Sequence, residues 1–445
     1  MRVYDKFKKH FSEDNLKKLF YETIVLSGAT GIDHLSPKSF ETQLDEQIKI
    51  LSRKALCGNY KFSKYKLKLV AKGRGKPPRE ISIPTVRDRI ALRALNDFLS
   101  NVFNPALNLE LPQKVVKKVK DVRQNNVYSG FIKLDVSNYY PSIIHSELLS
   151  RLKKRIKSQL ILDFIQSAIS SPTVTSSSKH DSEELSGVPQ GLATSNVLAA
   201  IYMINIDRFL SSIPDIHYFR YVDDILIFCN SDKANEIATT TINKFRRVGL
   251  EIHEPNVASD KSVIGSKEQP FSYLGYYFKG NKVSARTGTV NRLKDSIAAI
   301  FTAHKFSKYS NEEFLLWRLD LRITGCVHEN RSKGWLFFFS EINDQTLLHE
   351  LDNYVRKLLK RFQIKNKAKR FSRAFMELSH NKHNTKYIPN FDKYDRDQKL
   401  ALLNKYFPTD SVGIPLTEAQ INYHFNRRIK KQTKDLLEDI KDFTS

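Results

Sequence analysis

Two adjacent aspartates interrupt an apolar stretch that otherwise has the pattern of two short strands. Residues 218–228 read YFRYVDDILIF, so Asp223 and Asp224 lie between two apolar segments. Strands this apolar are buried on at least one face, and desolvating two carboxylates there is costly unless a cation or strong hydrogen-bond donors compensate. An isolated acidic pair is also a common turn sequence that faces water. The pair therefore predicts either a plain β-turn or a cation-binding site.

A third acid favours the cation-binding interpretation. Asp135 ends its own apolar segment, GFIKLD at 130–135. Because successive strand residues face opposite sides of a sheet, we expect only one of Asp223 and Asp224 to share a face with Asp135. Magnesium prefers hard oxygen ligands, usually one or two carboxylates together with substrate phosphates. Two facing aspartates therefore predict a two-metal site for phosphoryl transfer, with ions ~3.5–4 Å apart.

The net charge indicates a polyanionic partner. The 445 residues include 73 Lys and Arg against 48 Asp and Glu, a formal charge of +25. Such an excess repels itself unless a polyanion screens it, which favours a nucleic acid or an anionic membrane surface. Nine basic residues and no acid lie in the eighteen positions from Arg356 to Arg373. Because the longest apolar run, 197–204, is far shorter than the ~20 residues of a membrane span, nucleic acid is the expected partner and no membrane association is expected.

Cysteine usage and the N-terminal sequence exclude other classes of protein. Three isolated cysteines without a CxxC pair exclude a disulfide scaffold and a cysteine-rich zinc module, and they fit a reducing compartment. The first residues, MRVYDKFKKHF, carry charge but no apolar segment of the kind found in secretory signals. We therefore expect a cytoplasmic protein. Its length allows two to four domains.

The periodicity of apolar residues predicts an α/β protein of the α+β kind. Helices are predicted at 13–27 with Ser12 as N-cap, at 86–103, at 234–248 ending at Gly249, and from 290 onward. Strands are predicted at 130–135, within 218–228 and near 271–278, together with a basic hairpin over 61–84 whose tip is Gly73 to Pro78. The Ser- and Thr-rich segment 170–186 is predicted to be a loop.

The order of these motifs resembles the palm of a reverse transcriptase. Asp135 in DVSNYY is followed by GVPQG at 187–191, YVDD at 221–224, a lysine, and YLGYYF at 273–278. Upstream, SGATGIDHLSPKSFETQL at 27–44 and REISIPTVRDRIALRAL at 79–95 resemble the N-terminal and fingers segments of the bacterial group II intron and retron-like branch. The resemblance covers about 27–280. It implies a right-hand polymerase with fingers, an antiparallel-sheet palm and a helical thumb.

The resemblance implies a division of the chain into four parts. Residues 1–130 would form the N-terminal helices and fingers, and 131–280 the palm, with a fingers insertion near 150–186. Residues 281–360 would form the helical thumb, and 361–445 a basic C-terminal extension.

The resemblance also implies the catalytic residues and a cofactor. Asp135 and Asp223 would hold two Mg²⁺ ions, with Mn²⁺ as the alternative, joined by Asp224 and by the carbonyl oxygen of Val136. The ions would activate the primer 3′-hydroxyl and neutralise the leaving pyrophosphate. Lys261 would act as the general acid that protonates pyrophosphate, although a plain surface lysine remains an alternative.

Contacts to nucleotide and nucleic acid follow from the same resemblance. Tyr140 would be a steric gate that excludes a 2′-hydroxyl, with core packing as the alternative. The other predicted nucleotide-binding residues are Lys72 (or its neighbours Arg74 and Lys76), Arg79, Val136, Gln190 and Gly191. The predicted nucleic-acid-binding residues are Tyr273, Leu274 and Gly275 of a primer-grip turn, which could equally be core, and Arg356, Lys357, Lys360 and Arg361 of the basic run.

The function implied is that of an RNA-directed DNA polymerase working on an RNA template with deoxynucleotides to give a DNA product. Chains of this branch without endonuclease or maturase appendages resemble the stand-alone reverse transcriptases of antiviral defence, which often work with a dedicated non-coding RNA. A retron or intron-derived enzyme, a maturase-like RNA-binding cofactor without essential polymerase activity, and an RNA-dependent RNA polymerase are the alternatives. An oligomer or a second protein subunit is left open.

Overall fold

The computed structural model describes the backbone of all residues except 1, 26–27, 72–76, 108, 179, 257–260, 308–310, 382–383, 409–415 and 444–445. The helices are α1 Val3–His10, α2 Glu13–Leu19, α3 Pro37–Glu41, α4 Leu44–Leu56, α5 Val86–Phe103, α6 Pro112–Gln124, α7 His145–Lys153, α8 Gln159–Ser170, α9 Ser195–Ser211, α10 Ala234–Arg246, α11 Thr287–Lys305, α12 Glu312–Thr324, α13 Trp335–Phe338, α14 Gln345–Arg361, α15 Phe371–His380, α16 Arg396–Tyr406 and α17 Glu418–Thr433. The strands are β1 Tyr65–Val70, β2 Arg79–Ile83, β3 Gly130–Asp135, β4 Thr173–Val174, β5 His217–Tyr221, β6 Asp224–Cys229, β7 Val263–Ser266, β8 Phe271–Tyr273, β9 Tyr276–Lys279, β10 Lys282–Ala285, β11 Cys326–His328 and β12 Arg331–Lys333. Short 3₁₀ segments occupy Asn104–Ala106, Phe391–Lys393 and Lys434–Phe443, and a π-helical turn occupies Phe20–Ile24.

The predicted α+β class is confirmed, and several predicted boundaries are accurate. The helix predicted over 86–103 is α5, and Ser12 caps α2 by accepting a hydrogen bond from the backbone N–H of Asn15. The helix predicted over 13–27 is shorter, because the chain leaves α-helical geometry for a π-helical turn at Phe20. Within the described residues, no helix is both long and apolar enough to cross a bilayer.

The first of two compact units comprises residues 1–109 and 130–265. Its central sheet has the strand order β5-β6-β3-β7, and β6 runs antiparallel to both β5 and β3. Strands β3 and β6 consist mostly of buried apolar residues, as expected for strands covered on both faces. Helix α9, whose apolar residues are buried along most of its length, contributes to the same hydrophobic core. This core supports the end of the sheet where all three acidic residues lie.

A smaller sheet in the same unit has the order β2-β1-β4. The predicted basic hairpin is confirmed as the antiparallel pair β1 and β2, while its tip at 72–76 lies outside the described residues. The segment 170–186 is not a plain loop, since Thr173 and Val174 form β4, which runs parallel to β1. The hydroxyls of Ser82 and Thr173 lie 2.7 Å apart and hold the two edges of this sheet together.

The second unit comprises residues 110–129 and 266–445. It contains the antiparallel sheet β10-β9-β8, the hairpin β11–β12 and the remaining helices. A hydrophobic cluster of its own, with Phe391, Phe407 and Phe425 among its members, joins α12, α16 and α17. The predicted boundary at 280 falls in the turn between β9 and β10, and the one at 360 falls inside α14. The four-part division remains a prediction.

Candidate active site

The two adjacent acids lie at a sharp two-residue turn. Strand β5 ends at Tyr221 and β6 begins at Asp224, so Val222 and Asp223 form the turn itself. Val222 has a φ of 55°, a left-handed conformation that is costly for a β-branched side chain. The backbone N–H of Val136 donates to the carbonyl oxygen of Asp223 at 3.3 Å. A strained turn held in this way fixes Asp223 beside the end of β3.

All three acids lie at the same end of the β3–β6 ladder. Asp135 is the direct ladder partner of Asp224 in the antiparallel pairing of β3 and β6, and direct partners share a face. Asp223 is close enough for its titration to depend on the charge of Asp135. By this register Asp224 is the acid of the pair that shares a face with Asp135, while Asp223 lies in the turn, where strand alternation does not apply.

The electrostatics of this cluster are those of crowded, partly buried carboxylates. Burial, together with the nearby charge of Asp135, raises the pKa of Asp223 to about 6. Burial also raises the pKa of Asp135, while the charges of Lys261 and His253 oppose that rise. A bound cation would relieve both the desolvation and the mutual repulsion.

Arg220 holds the turn in place through a hydrogen bond to its backbone. The sequence analysis did not identify this residue. Its Nη1 donates to the carbonyl oxygen of Val222 at 2.9 Å, and its Nε donates to Oδ1 of Asp207 at 2.7 Å. Nη2 pairs with the other carboxylate oxygen of Asp207, which makes the contact bidentate. The Arg220 side chain is only 3% exposed. An arginine within an apolar strand was the available signal, since such a charge requires a buried partner.

Replacing Arg220 with Met should destabilise the protein by about 3 kcal/mol, since it leaves Asp207 largely buried without its ionic partner. Urea denaturation followed by circular dichroism measures this. Arg246→Met is the matched control, because Arg246 forms only exposed pairs and should cost less than about 1 kcal/mol. Equal losses in the two variants would contradict the anchoring role. Adding Asp207→Leu to Arg220→Met should recover part of the loss.

Asp135 has two further neighbours that the sequence did not reveal. The backbone N–H of His253 donates to the carbonyl oxygen of Asp135 at 3.0 Å, and its Nε2 lies 3.6 Å from Oδ2. The Ser262 hydroxyl accepts from the backbone N–H of Asp135 at 3.1 Å. Lys261 Nζ lies 4.0 Å from Oδ2 of Asp135 and 3.0 Å from Nε2 of His253. Lys261 therefore lies near Asp135, and its role as general acid remains a prediction. No sequence pattern marked His253 or Ser262.

Tyr140 lies next to the acids. Its hydroxyl donates to Oδ1 of Asn196 on α9, and its ring packs against Tyr139 with centroids 5.4 Å apart. Burial, followed by the charge of Asp223, raises the pKa of the Tyr140 hydroxyl. Tyr139 differs from it, since it is buried and donates to the backbone of Ala199 as a core residue. Tyr140 thus presents a partly exposed, hydrogen-bonded ring beside the carboxylates.

The loop at 187–191 connects Tyr140 to β2. The backbone N–H of Val188 donates to the carbonyl oxygen of Tyr140. The backbone N–H of Ser82 donates to the carbonyl oxygen of Gln190. Gly191 has a φ of 101°, and a Cβ there would lie 2.7 Å from a methyl carbon of Ile81. Close packing against β2 therefore requires glycine at position 191.

Arg79 is brought toward the site by this connection. It is the first residue of β2, and its charge lowers the pKa of both Asp223 and Tyr140, which places it within electrostatic range of each. Lys72, with the alternatives Arg74 and Lys76, lies outside the described residues. Arg79, Tyr140, Gln190 and Gly191 are thus gathered in one unit with the three acids.

The predicted nucleic-acid contacts belong to the second unit. Leu274 and Gly275 form a left-handed turn between β8 and β9, with φ values of 49° and 81°. The side chains of Tyr273 and Leu274 are buried, so any contact to nucleic acid there would come from the turn's backbone. Arg356, Lys357, Lys360 and Arg361 are exposed on α14. Their binding role remains a prediction.

The residues present fit a divalent cation. Asp135, Asp223 and Asp224 supply hard carboxylate oxygens, and the repulsion that raises the pKa of Asp223 is what a cation would offset. In the described ranges, no group of three or more His, Cys, Asp or Glu side chains is placed so that the group could hold a metal ion. Carboxylates at such sites supply only part of the coordination, because substrate phosphates and water supply the rest.

A known family model matches the part of the chain that contains this site. Residues 70–278, just under half of the chain, match the family model described as reverse transcriptase (RNA-dependent DNA polymerase). This range contains every residue of the acidic cluster, the loop at 187–191 and β2. The predicted resemblance to reverse transcriptases is therefore confirmed for this part of the chain.

Curated relatives are intron-encoded proteins. The group II intron-encoded protein LtrA of Lactococcus lactis subsp. cremoris is 24% identical over 216 residues, covering 47% of this chain and 35% of LtrA. The putative COX1/OXI3 intron 2 protein of Saccharomyces cerevisiae is 23% identical over 266 residues, covering 45% of this chain and 30% of that protein. The chain thus matches about a third of the length of these relatives.

Solved structures with some similarity are telomerases. The apo telomerase of Candida tropicalis aligns with a TM-score of 0.43 and 13% identity, covering 86% of this chain and 65% of that one. A Candida albicans telomerase in complex with a fragment of telomeric RNA gives a TM-score of 0.42 at 13% identity, covering 87% and 66%.

Proposed function

We propose that the chain, whose residues 70–278 form a reverse transcriptase domain, is an RNA-directed DNA polymerase that adds deoxynucleotides to a primer by two-metal nucleotidyl transfer. The observation that supports this best is that Asp135, Asp223 and Asp224 lie at one end of the β3–β6 ladder. Three carboxylates gathered beside a partly exposed tyrosine are suited to holding cations and a nucleotide. They are poorly suited to a purely structural role, because their crowding destabilises the fold.

In the proposed reaction, the chain's own residues bind and orient the reactants. Asp135, Asp223 and Asp224, with the Val136 carbonyl, would hold two Mg²⁺ or Mn²⁺ ions, which when bound supply Lewis-acid activation of the 3′-hydroxyl and charge neutralisation. Arg79 would form a forked contact with the triphosphate. Gln190 and Gly191 would flank the nucleotide, and Lys261, paired with His253, would deliver a proton to the leaving pyrophosphate.

Primer extension tests the proposal directly. The purified chain, given an oligo(dT) primer on a poly(rA) template with dTTP and Mg²⁺, should lengthen the primer, and EDTA should stop the reaction. If UTP in place of dTTP is added at least as fast, an RNA-dependent RNA polymerase is favoured. Absence of any extension, with the same RNA still bound, would favour a maturase-like RNA-binding cofactor.

For the physiological role, we propose an enzyme of antiphage defence that copies a dedicated non-coding RNA. The basis is the resemblance of the chain to that group, and a retron or intron-derived enzyme is the alternative. Sequencing the nucleic acid that copurifies with the protein would identify template and product together. A heterogeneous cellular RNA population in place of one dominant species would count against a dedicated template.

Binding to an RNA duplex should weaken steeply with salt if the exposed cations of α14 contact phosphates. Each neutralised phosphate releases counterions, so several contacts give a log–log slope of several units in magnitude. Fluorescence anisotropy across a potassium chloride series measures the slope. Lys357→Ala with Arg361→Ala should reduce its magnitude by about one to two units. An unchanged slope would exclude this helix from the interface.

A further inference from the structure

A concave surface in the second unit combines a high density of positive charge with an apolar floor. It lies where α14 turns into α15 and has a volume of about 430 Å³. Its floor is formed by Val355, Leu359, Ile364 and Ala368, and its cations are Arg356, Lys360, Lys365, Lys367, Lys369 and Arg370. We call this surface the basic cup. Its volume lies in the range of ~300–1,000 Å³ typical of sites for small ligands.

The loop that forms one wall of the basic cup is held in place by side chains from other elements. The backbone N–H of Lys369 donates to Oδ1 of Asp320 on α12 at 2.8 Å, and that of Arg370 donates to the Tyr387 hydroxyl at 2.8 Å. Asn366 donates its side-chain N–H to Glu312 at 2.7 Å. Since these bonds order the backbone, the cations are presented from a preformed surface, which lowers the entropic cost of binding an anion.

The one acidic residue that lines the basic cup is already engaged. Both carboxylate oxygens of Asp352 accept hydrogen bonds from the first residues of α15, from the backbone N–H of Phe371 and from the hydroxyl of Ser372. Lys369 Nζ donates to the carbonyl oxygen of Tyr387. The other five cations are exposed, and in the part of the chain that the structure describes no ion pair links them to a carboxylate. Their charge is therefore available to a ligand.

The shape of the basic cup favours a terminal phosphate group over the phosphates of a duplex. A duplex presents its phosphates along a convex surface, each with a single charge, and such a surface cannot enter a concavity of this size. A chain end or a free nucleotide can enter it. A terminal triphosphate concentrates several charges in one group, which matches the five available cations that line the basic cup, while the apolar lining suits the attached sugar and base.

We propose that the basic cup binds a nucleotide through its triphosphate, carried either by a free ribonucleotide or by the 5′ end of an RNA. Arg356 and Arg370 supply forked guanidinium contacts, and Lys360, Lys365 and Lys367 supply point charges. The choice of RNA as a carrier rests on the proposed function. The preference for a triphosphate rests on the basic cup alone.

The test compares two short single-stranded RNAs of one sequence, one with a 5′-triphosphate and one with a 5′-hydroxyl. Anisotropy is measured in EDTA with the full-length Asp223→Asn protein, so that metal-dependent binding of triphosphate at the acidic cluster does not contribute. The RNA with a 5′-triphosphate should bind about tenfold more tightly than the RNA with a 5′-hydroxyl. This is the gain in affinity expected from at least one charge-assisted hydrogen bond. Lys365→Ala with Lys367→Ala should largely remove this preference.

Lys357→Ala with Arg361→Ala is the matched control, because it removes equal charge from the same region without touching the basic cup. It should weaken both RNAs equally and leave their ratio unchanged. Equal binding of the two RNAs by the parent protein would overturn the proposal, as would a preference that survives the Lys365 and Lys367 changes. Competition by GTP as strong as that by triphosphate RNA identifies the free nucleotide as the carrier, and weak competition identifies the RNA end.

The two proposals can fail independently. Loss of the triphosphate preference with primer extension intact in the unmutated chain rejects only the basic cup. Absent primer extension together with a retained preference rejects only the polymerase proposal.

Discussion

Asp223→Asn should lower the rate of the proposed nucleotide addition by at least about a thousandfold, which corresponds to ~4 kcal/mol of lost transition-state stabilisation. The amide keeps the shape of the side chain but removes the charge that would hold a cation beside Asp135. Single-turnover primer extension measures the rate at saturating Mg²⁺. Asp232→Asn is the matched control, since that exposed carboxylate on the loop after β6 lies outside the cluster and should leave the rate unchanged.

The same substitution distinguishes a catalytic acid from a structural one through its effect on stability. Burial and Asp135 raise the pKa of Asp223 above its unfolded value, so the folded state binds more protons across that interval. The contribution of this group to stability is therefore present at acidic pH and is lost as pH rises through the folded pKa. In metal-free buffer above pH 6, Asp223→Asn should unfold at an equal or higher denaturant concentration than the parent. A clear loss of stability or of RNA binding would indicate a structural role.

Features carried by local sequence could be predicted. Helix α5 follows a continuous apolar stripe, and its bounds coincide with the pattern. The strand ending at Asp135 and the basic hairpin β1–β2 were likewise predictable, because each depends on alternation within a few residues. The three acids could be assigned to one site through the order of motifs.

Features that depend on contacts between distant residues were not predictable. His253 and Ser262 form hydrogen bonds with Asp135 although each is more than a hundred positions away in the sequence. Neither residue type is unusual in a loop. The Arg220–Asp207 pair joins β5 to α9. The one available signal was an arginine within an apolar strand, since a buried charge requires a partner. Val222 adopts a conformation that its own propensity opposes, so local reasoning placed Val222 in a strand although it belongs to the turn.

Tyr140→Ala should relax the discrimination against ribonucleotides by about a hundredfold, the loss expected when ~3 kcal/mol of steric exclusion is removed. The ring lies beside Asp223, and its hydroxyl is fixed by Asn196, so it occupies a defined position next to the proposed nucleotide site. The ratio of kcat/KM for dTTP to that for UTP, measured on one template and primer, reports the change.

Tyr140→Phe separates exclusion by the ring from the hydrogen bond to Asn196. It keeps the ring but loses the donor, so it should retain most of the discrimination if volume is what excludes the 2′-hydroxyl. Equal relaxation in the Phe and Ala variants would mean that Asn196 orients the ring and that orientation, rather than volume, decides. If the Ala variant rejects UTP as strongly as the parent, Tyr140 belongs to the core with Tyr139 and the gate must lie elsewhere. Because the two variants differ only in the ring, the comparison tests the deoxynucleotide preference at a single side chain, independently of how the acids hold their cations.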